Sequence, residues 1–449
     1  MQAEIISHRG TKQVLAQPPL EMTKQRTRRA RHSNPVAADQ TVFDIPGAFC
    51  SFTTITGMSG KSKSASKVRP PKGEPFDFWR SPAVISPNSF THKSLSNWAF
   101  NISVGCSHAC RFCYVPSASA IKQGRLLKDF GVNDPDEEWG DYSLLRPWDE
   151  KKFMASLERA EETPLSVLKG EKKRDGNRAI IFCSTTDPYQ TFRASSPANT
   201  NLLNQSAEAL VRKALEAIRD HSTLNVRVLT RSPLAQRDFD LFKSFGNRLV
   251  FGMSLPTLDN RLSRIYEPKA PAPLQRLKTL RAAKAAGLHV FVALAPTYPE
   301  CDEADLRRTL TAIKELDPIT IYHEPINIRA ENVARIEKHA ASLTPPVKLK
   351  TEVFATRDAW REYALDSLNL VQRLAQELGM EEHLHLWPDK QLGAKICFLK
   401  LRQKKRAGMQ LTRRQIKRYQ QEDLEIYENH YKPWLEDKWF RISEWPGKK

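Results

Sequence analysis

NVRVLTRSPLAQRDFDLFKSFGNRLVFGMSLP, residues 225–256, holds two short runs rich in valine, leucine and phenylalanine with a helical stretch between them. The runs 225–229 and 249–253 read as strands and 234–245 as a helix, a strand–helix–strand unit. Such a unit implies a parallel pair, because parallel neighbours need a crossover connection. Working outward, the same alternation recurs, with strands expected at 98–104, 179–183, 289–294 and 319–322 and helices at 201–219, 273–286, 303–316 and 330–340. Six strands in this order predict an α/β fold, a partial (β/α)6 TIM-type barrel. The polar interval 116–177, which contains DPDEEWGDY, is expected to hold the first helix and an insertion.

The flanks differ in character. Residues 1–91 form an N-terminal extension without sustained period, expected to be partly disordered, with a basic run KQRTRRAR at 24–31. Residues 92–345 are assigned to the barrel core, and 346–449 to a helical basic C-terminal segment. That segment opens on an amphipathic helix at 356–378 and carries RQKKRAGMQLTRRQIKRYQQ, in which Thr412 and Gln415 have the spacing of a capping box.

Bulk properties narrow the function. The longest apolar stretches, such as 290–295, are too short to cross a bilayer, so no membrane association is expected. The start, MQAEIISHRG, lacks the apolar core of a secretory signal, and a cytoplasmic location is expected. Seven cysteines, with three crowded into eight residues, do not make a disulfide framework and point to a metal centre. A formal charge of +19 draws polyanions, which makes nucleic acid the leading candidate partner; solvated basic tails are the plain alternative.

The metal centre is expected at GCSHACRFCYVP, where Cys106, Cys110 and Cys113 follow the first expected strand. Three thiolates on one loop can wrap one face of an iron–sulfur cube, whereas an ordinary 4Fe-4S centre takes four cysteines and one iron here would lack a protein ligand. Zinc is the competitor, with His108 as a fourth ligand, although structural zinc sites usually come as two separated ligand pairs. A non-catalytic, zinc-stabilised nucleic-acid-binding protein is the corresponding alternative function.

The CxxxCxxC spacing with Phe112 before the last cysteine resembles the radical S-adenosylmethionine (SAM) superfamily. GCSHACRFCY and the later FCSTTDPYQ resemble its spore photoproduct lyase-like branch, often labelled DNA repair photolyase-like, over residues 92–340. Where that branch often has Asn-Pro-Tyr before Gly-Cys, this chain has Asn101-Ile102-Ser103-Val104. The resemblance implies a 4Fe-4S cluster whose open iron chelates SAM, reductive cleavage to a 5'-deoxyadenosyl radical, and an electron donor such as flavodoxin or ferredoxin. It implies action on nucleic acid, by DNA repair or base modification, with a protein or small metabolite as the alternative substrate.

The strand ends of such a barrel deliver polar groups to its mouth. After the second strand, Ser184 and Asp187 are candidates for the methionyl amino group, or else caps of the next helix. The resemblance gives Arg231 to the methionyl carboxylate, which a guanidinium can hold through two bonds, and Ser254 to the ribose or amino group. Phe112 and Tyr114 are candidates to border adenine, as is the 295–296 turn, unless they are merely packed. Arg264 and Glu267 would reach the adenosine or pair with each other, and the turn His323-Glu324-Pro325 would face the substrate. Cys183, before Ser184, resembles the branch's hydrogen-atom donor, a buried core thiol being the alternative; Cys50, Cys301 and Cys397 are expected to be ordinary thiols.

Overall fold

The computed structural model describes residues 73–88, 95–164, 178–329, 331–387, 389 and 392. The basic runs at 24–31 and 404–418, the expected disorder near the N-terminus, the Thr412–Gln415 capping box, and Cys50 and Cys397 lie outside the described residues.

The described strands are β1 (Phe76–Phe78), β2 (Ile85–Pro87), β3 (Trp98–Phe100), β4 (Ser103–Gly105), β5 (Ser143–Leu145), β6 (Ala179–Phe182), β7 (Asn225–Thr230), β8 (Leu249–Ser254), β9 (Val290–Thr297), β10 (Thr320–Pro325) and β11 (Leu384–Leu386). The main helices are α1 (Glu150–Glu161), α2 (Pro197–His221), α3 (Phe239–Ser244), α4 (Asn260–Tyr266), α5 (Pro273–Ala285), α6 (Glu303–Lys314), α7 (Asn332–Ser342) and α8 (Arg357–Glu377). Several start on side-chain caps: Asp149, Ser196, Asp259, Asp302 and Thr356 each accept a backbone N–H three residues on.

The large sheet has the order β11-β10-β9-β8-β7-β6-β3-β2, parallel throughout except for β2. This is the partial TIM-type barrel expected, with one more parallel strand than the six expected. The added strand, β11, pairs with β10, and α8 packs on both. Residues 357–386, placed from sequence in the C-terminal segment, thus extend the barrel sheet.

Side-chain alternation sorts the core into two layers. Ala99, Ile181, Val250, Phe291, Tyr322 and Trp387 form the inner cluster, while the opposite sheet face packs on the helices through residues such as Phe100, Phe182, Val228, Phe251 and Leu294. Gly252 lies in register with Phe291, and a Cβ on it would meet that ring at 2.3 Å. The missing side chain is what lets Phe291 fill the barrel and meet Tyr322 edge-on, 5.7 Å between centroids.

One expected element is corrected. The run 98–104 is not one strand: β3 pairs with β6 in the barrel, the chain breaks at Asn101 and Ile102, and β4 pairs with β5 in a separate three-stranded sheet, β1-β5-β4. The cysteine loop therefore leaves from β4, beside the barrel, rather than from the first barrel strand. Gly105 makes the exit possible, since its φ is +96° and a Cβ would lie 2.5 Å from the Tyr142 carbonyl oxygen.

Candidate active site

Asn101 sits at that break and turns its side chain across to the loop after β6. Its Oδ1 accepts from the backbone N–H groups of Ser184 and Thr185, both at 2.9 Å, and from Thr185 Oγ1 at 3.0 Å, while its Nδ2 donates to Ser184 Oγ at 3.1 Å. A second set of bonds follows two residues later. Gln190 Nε2 donates to Ser103 Oγ (2.9 Å) and Thr186 Oγ1 (2.6 Å), Thr186 Oγ1 donates to the Gly105 carbonyl (2.7 Å), and Gln190 Oε1 accepts from Ser107 N–H (2.7 Å). The start of the cysteine loop is thereby pinned to the mouth of the barrel.

Its far side is held equally firmly. Arg111 N–H donates to the Tyr266 carbonyl (2.9 Å) and Lys269 N–H to the His108 carbonyl (3.3 Å). From α7, Asn332 Nδ2 donates to the Phe112 carbonyl at 3.2 Å, and the buried Arg335 guanidinium bonds both the Cys113 carbonyl and Asp136.

Cys106, Cys110 and Cys113 are unlinked thiols, with Cys110 buried and the other two half-buried. Burial pushes the thiols upward, Cys110 to about 12, and the charges of the other cluster cysteines add to the shift at Cys106 and Cys110. Metal coordination reverses this by taking the thiolate form. Among the described residues, no three histidine, cysteine or carboxylate groups converge on a single ion position. A cluster does not need that convergence, because each thiolate takes a different iron, and three free thiols on one pinned loop fit it. His108, which zinc would need as its fourth ligand, faces Asp187 instead, with Nδ1 3.4 Å from Oδ2.

Asp187 is a junction rather than an open carboxylate. Besides His108, it accepts from Tyr189 N–H (2.9 Å), Thr230 Oγ1 (2.6 Å) and Arg231 N–H (2.8 Å), tying the loop after β6 to the end of β7. Arg231 donates from Nε to Glu267 Oε1 at 2.7 Å, and its guanidinium lies 5.7 Å over the Phe112 ring. Glu267 is fully buried and also pairs with Arg276, whose Nη1 donates to the Ser254 carbonyl at 3.2 Å. Burial alone would raise the Glu267 pKa, but the two guanidiniums outweigh it and hold the carboxyl at about 2. With the Asp187 carboxylate alongside, two cations and two anions balance beside the cysteine loop.

The structure thus brings together the three cysteines, Phe112, Asp187, Arg231 and Ser254, with Ser184 joined through Asn101. Glu267 does not pair with Arg264; its partners are Arg231 and Arg276. Phe112 packs 5.9 Å from Tyr298, which stacks on Tyr266 at 4.1 Å. Tyr114 is 41% exposed, at the rim. Cys183 lies just past β6, buried, its thiol pushed upward by burial and bonded by the Ile102 backbone. His323 is fully buried with Nδ1 3.1 Å from the Leu294 carbonyl, and burial holds it down at about 4, so of that turn Glu324 alone is on the inner face. The roles of Asn101, Gln190, Arg276, Asn332 and Arg335 escaped sequence inspection, since their partners lie up to 222 residues away.

Residues 100–313 match the family model for the radical SAM superfamily, and the chain carries that domain. The match supports a radical SAM enzyme, and that family implies a 4Fe-4S cluster and SAM. An uncharacterized protein of Acidianus two-tailed virus, ORF301, is 29% identical over 270 residues, 57% of this chain and 78% of that protein. The uncharacterized protein MJ0683 of Methanocaldococcus jannaschii is 21% identical over 280 residues, 62% of this chain and 87% of that one. Among solved structures, spore photoproduct lyase complexed with dinucleoside spore photoproduct overlays with a TM-score of 0.46 at 14% identity, covering 69% of this chain and 80% of that chain. No helix of the described residues is long and apolar enough to cross a membrane.

Replacing Asn101 by alanine strands the amides of Ser184 and Thr185 and is expected to cost about 1–3 kcal/mol, with Asn101→Asp, which keeps the acceptor oxygen, recovering part of it. Urea unfolding of the three proteins measures this, and equal midpoints would refute the clamp. Glu267 supplies a pH signature: its depressed pKa stabilises the fold above about 4.5, the ordinary value, and that contribution is lost as pH falls toward 2. The stability difference between the wild type and Glu267→Gln should therefore shrink over this window, and a difference independent of pH would contradict the buried ion pairs.

Proposed function

We propose that this radical SAM enzyme acts on nucleic acid, repairing or modifying a base, within the spore photoproduct lyase-like branch. The formal charge of +19 is the observation that carries the substrate class, because a surplus of that size concentrates a polyanion around the protein. Cys106, Cys110 and Cys113 would hold the cluster. When bound, the cluster and SAM supply a one-electron cleavage of a carbon–sulfur bond and so a carbon radical; a protein such as flavodoxin or ferredoxin would deliver the electron. Cytoplasmic residence accords with that reducing chemistry.

Arg231 is suited to the methionyl carboxylate: its Nε is fixed by Glu267, leaving the two terminal nitrogens to present parallel N–H bonds. Ser254 and Ser184 would present their hydroxyls from the ends of β8 and β6, on either side of β7, and Phe112 an aromatic wall. Asp187 would position Arg231 through its backbone N–H rather than meet the ligand. Cys183 would return a hydrogen atom to the substrate radical, its S–H bond breaking as the C–H bond forms and the unpaired electron passing to sulfur. Burial keeps this thiol protonated, which is the form that reaction needs.

The test is to incubate reduced, reconstituted enzyme with perdeuterated nucleic acid and read deuterium in 5'-deoxyadenosine. Transfer is expected from nucleic acid; transfer only from a labelled protein or metabolite would overturn the substrate class. Arg231→Gln and Ser254→Ala should keep full iron content yet bind SAM at least tenfold more weakly by isothermal titration, and unchanged affinity would remove them from the site.

A further inference from the structure

The residues that follow the last cluster cysteine are anomalous in exposure. Six large hydrophobic side chains are exposed among the described residues, and three of them, Tyr114 (41%), Ile121 (55%) and Leu126 (38%), fall within thirteen residues of sequence. Exposed Lys122, Arg125 and Lys128 are interleaved with them, and none of the three has an ion-pair partner among the described residues. The neighbouring acids are otherwise engaged. Asp129 pairs with Arg80, Asp136 with Arg335 and Glu137 with Lys338, while Asp134 and Glu138 accept backbone N–H groups of their own turn.

The segment is anchored from below. It runs as consecutive short helical turns from Pro116 to Phe130, with Leu127 and Phe130 buried against Trp79, Val132 and Trp139. The same cluster touches Cys106 and Cys113, so the platform is continuous with the cysteine loop. A cation at every third residue of a helical path falls on one side, at intervals of roughly 5–6 Å. Tyr114 stands at the inner end, next in sequence to Cys113 and 41% exposed.

We propose that residues 114–128 form a docking surface for single-stranded nucleic acid, with Lys122, Arg125 and Lys128 on its phosphates and Tyr114 stacking a base at the barrel mouth. This rests on the assignment of nucleic acid as substrate. Cations alone would suit any polyanion, and exposed apolar groups alone would suit many proteins. Their alternation on one short segment suits a strand that offers phosphates and bare base faces in turn. The surface also leads from solvent to the cysteines, so a strand held there presents a base to the radical chemistry.

Fluorescence anisotropy with a labelled mixed-sequence single strand tests this on the full chain, comparing wild type with Lys122→Gln/Arg125→Gln/Lys128→Gln across a salt series. Loss of three phosphate contacts should flatten the log–log salt slope by about 2, at about 0.7 per contact. Tyr114→Leu should weaken binding about tenfold or more while leaving that slope unchanged. Iron content after reconstitution checks that each variant is folded. Wild-type binding with a steep slope that the triple variant retains would overturn this surface while sparing the substrate class. No binding by wild type at low salt would overturn both, and capture of the segment by a protein partner in place of the strand would likewise refute it.

Discussion

The site depends on one constraint: a loop carrying three cysteine thiols has no covalent hold of its own and must be kept open from outside. Asp187 contributes to this by joining His108 on the loop to Thr230 and the Arg231 backbone at the end of β7. Its carboxylate is satisfied by donors on three sides, which makes its burial tolerable and the junction stiff. Asn101 and Gln190 repeat the principle with neutral amides, so that the strand end, the loop after β6 and the exit of the cysteine loop move as one body. Pre-organisation of this kind is what a reactive intermediate requires, since a displacement of about 1 Å misaims the attacking atom.

Charge is arranged with the same economy. The Arg231–Glu267–Arg276 group is costly to bury, and it lies beside thiols that become thiolates on metal binding. Arg335 adds a further buried cation at the Cys113 carbonyl. Arg231 favours the thiolates of Cys110 and Cys113 and Arg335 that of Cys113, while Asp187 opposes that of Cys106, and the Arg231 guanidinium is the one of the trio that is not fully buried.

The barrel was legible because strands buried on both faces read as short apolar runs and the helices between them have a 3.6-residue period. Every strand from β6 to β10 lies where the pattern places it. The split of 98–104 was not legible, because one asparagine within a β-rich run does not by itself end a strand, and only the long-range bonds of Asn101 show that the chain leaves the sheet there. β11 was missed because three residues, Leu384–Leu386, carry no period. The cysteines were plain from spacing alone. Asp187 was found as a polar residue after a strand and Glu267 on a loop, but their partners were not, since an ion-pair group between the end of α4, α5 and the end of β7 leaves no local trace. His323 misled because strand alternation turns it away from the mouth.

On this reading the loop 106–113 would hold a cluster with one iron open to SAM, steadied by the surrounding hydrogen bonds. Electron paramagnetic resonance of the reconstituted, reduced protein before and after addition of SAM tests it most directly. The account predicts the signal of a single reduced 4Fe-4S cluster whose g values shift on addition of SAM, because the cosubstrate binds the unligated iron. A signal that SAM leaves unchanged, or a colourless protein that takes up zinc in place of iron and sulfide, would contradict it.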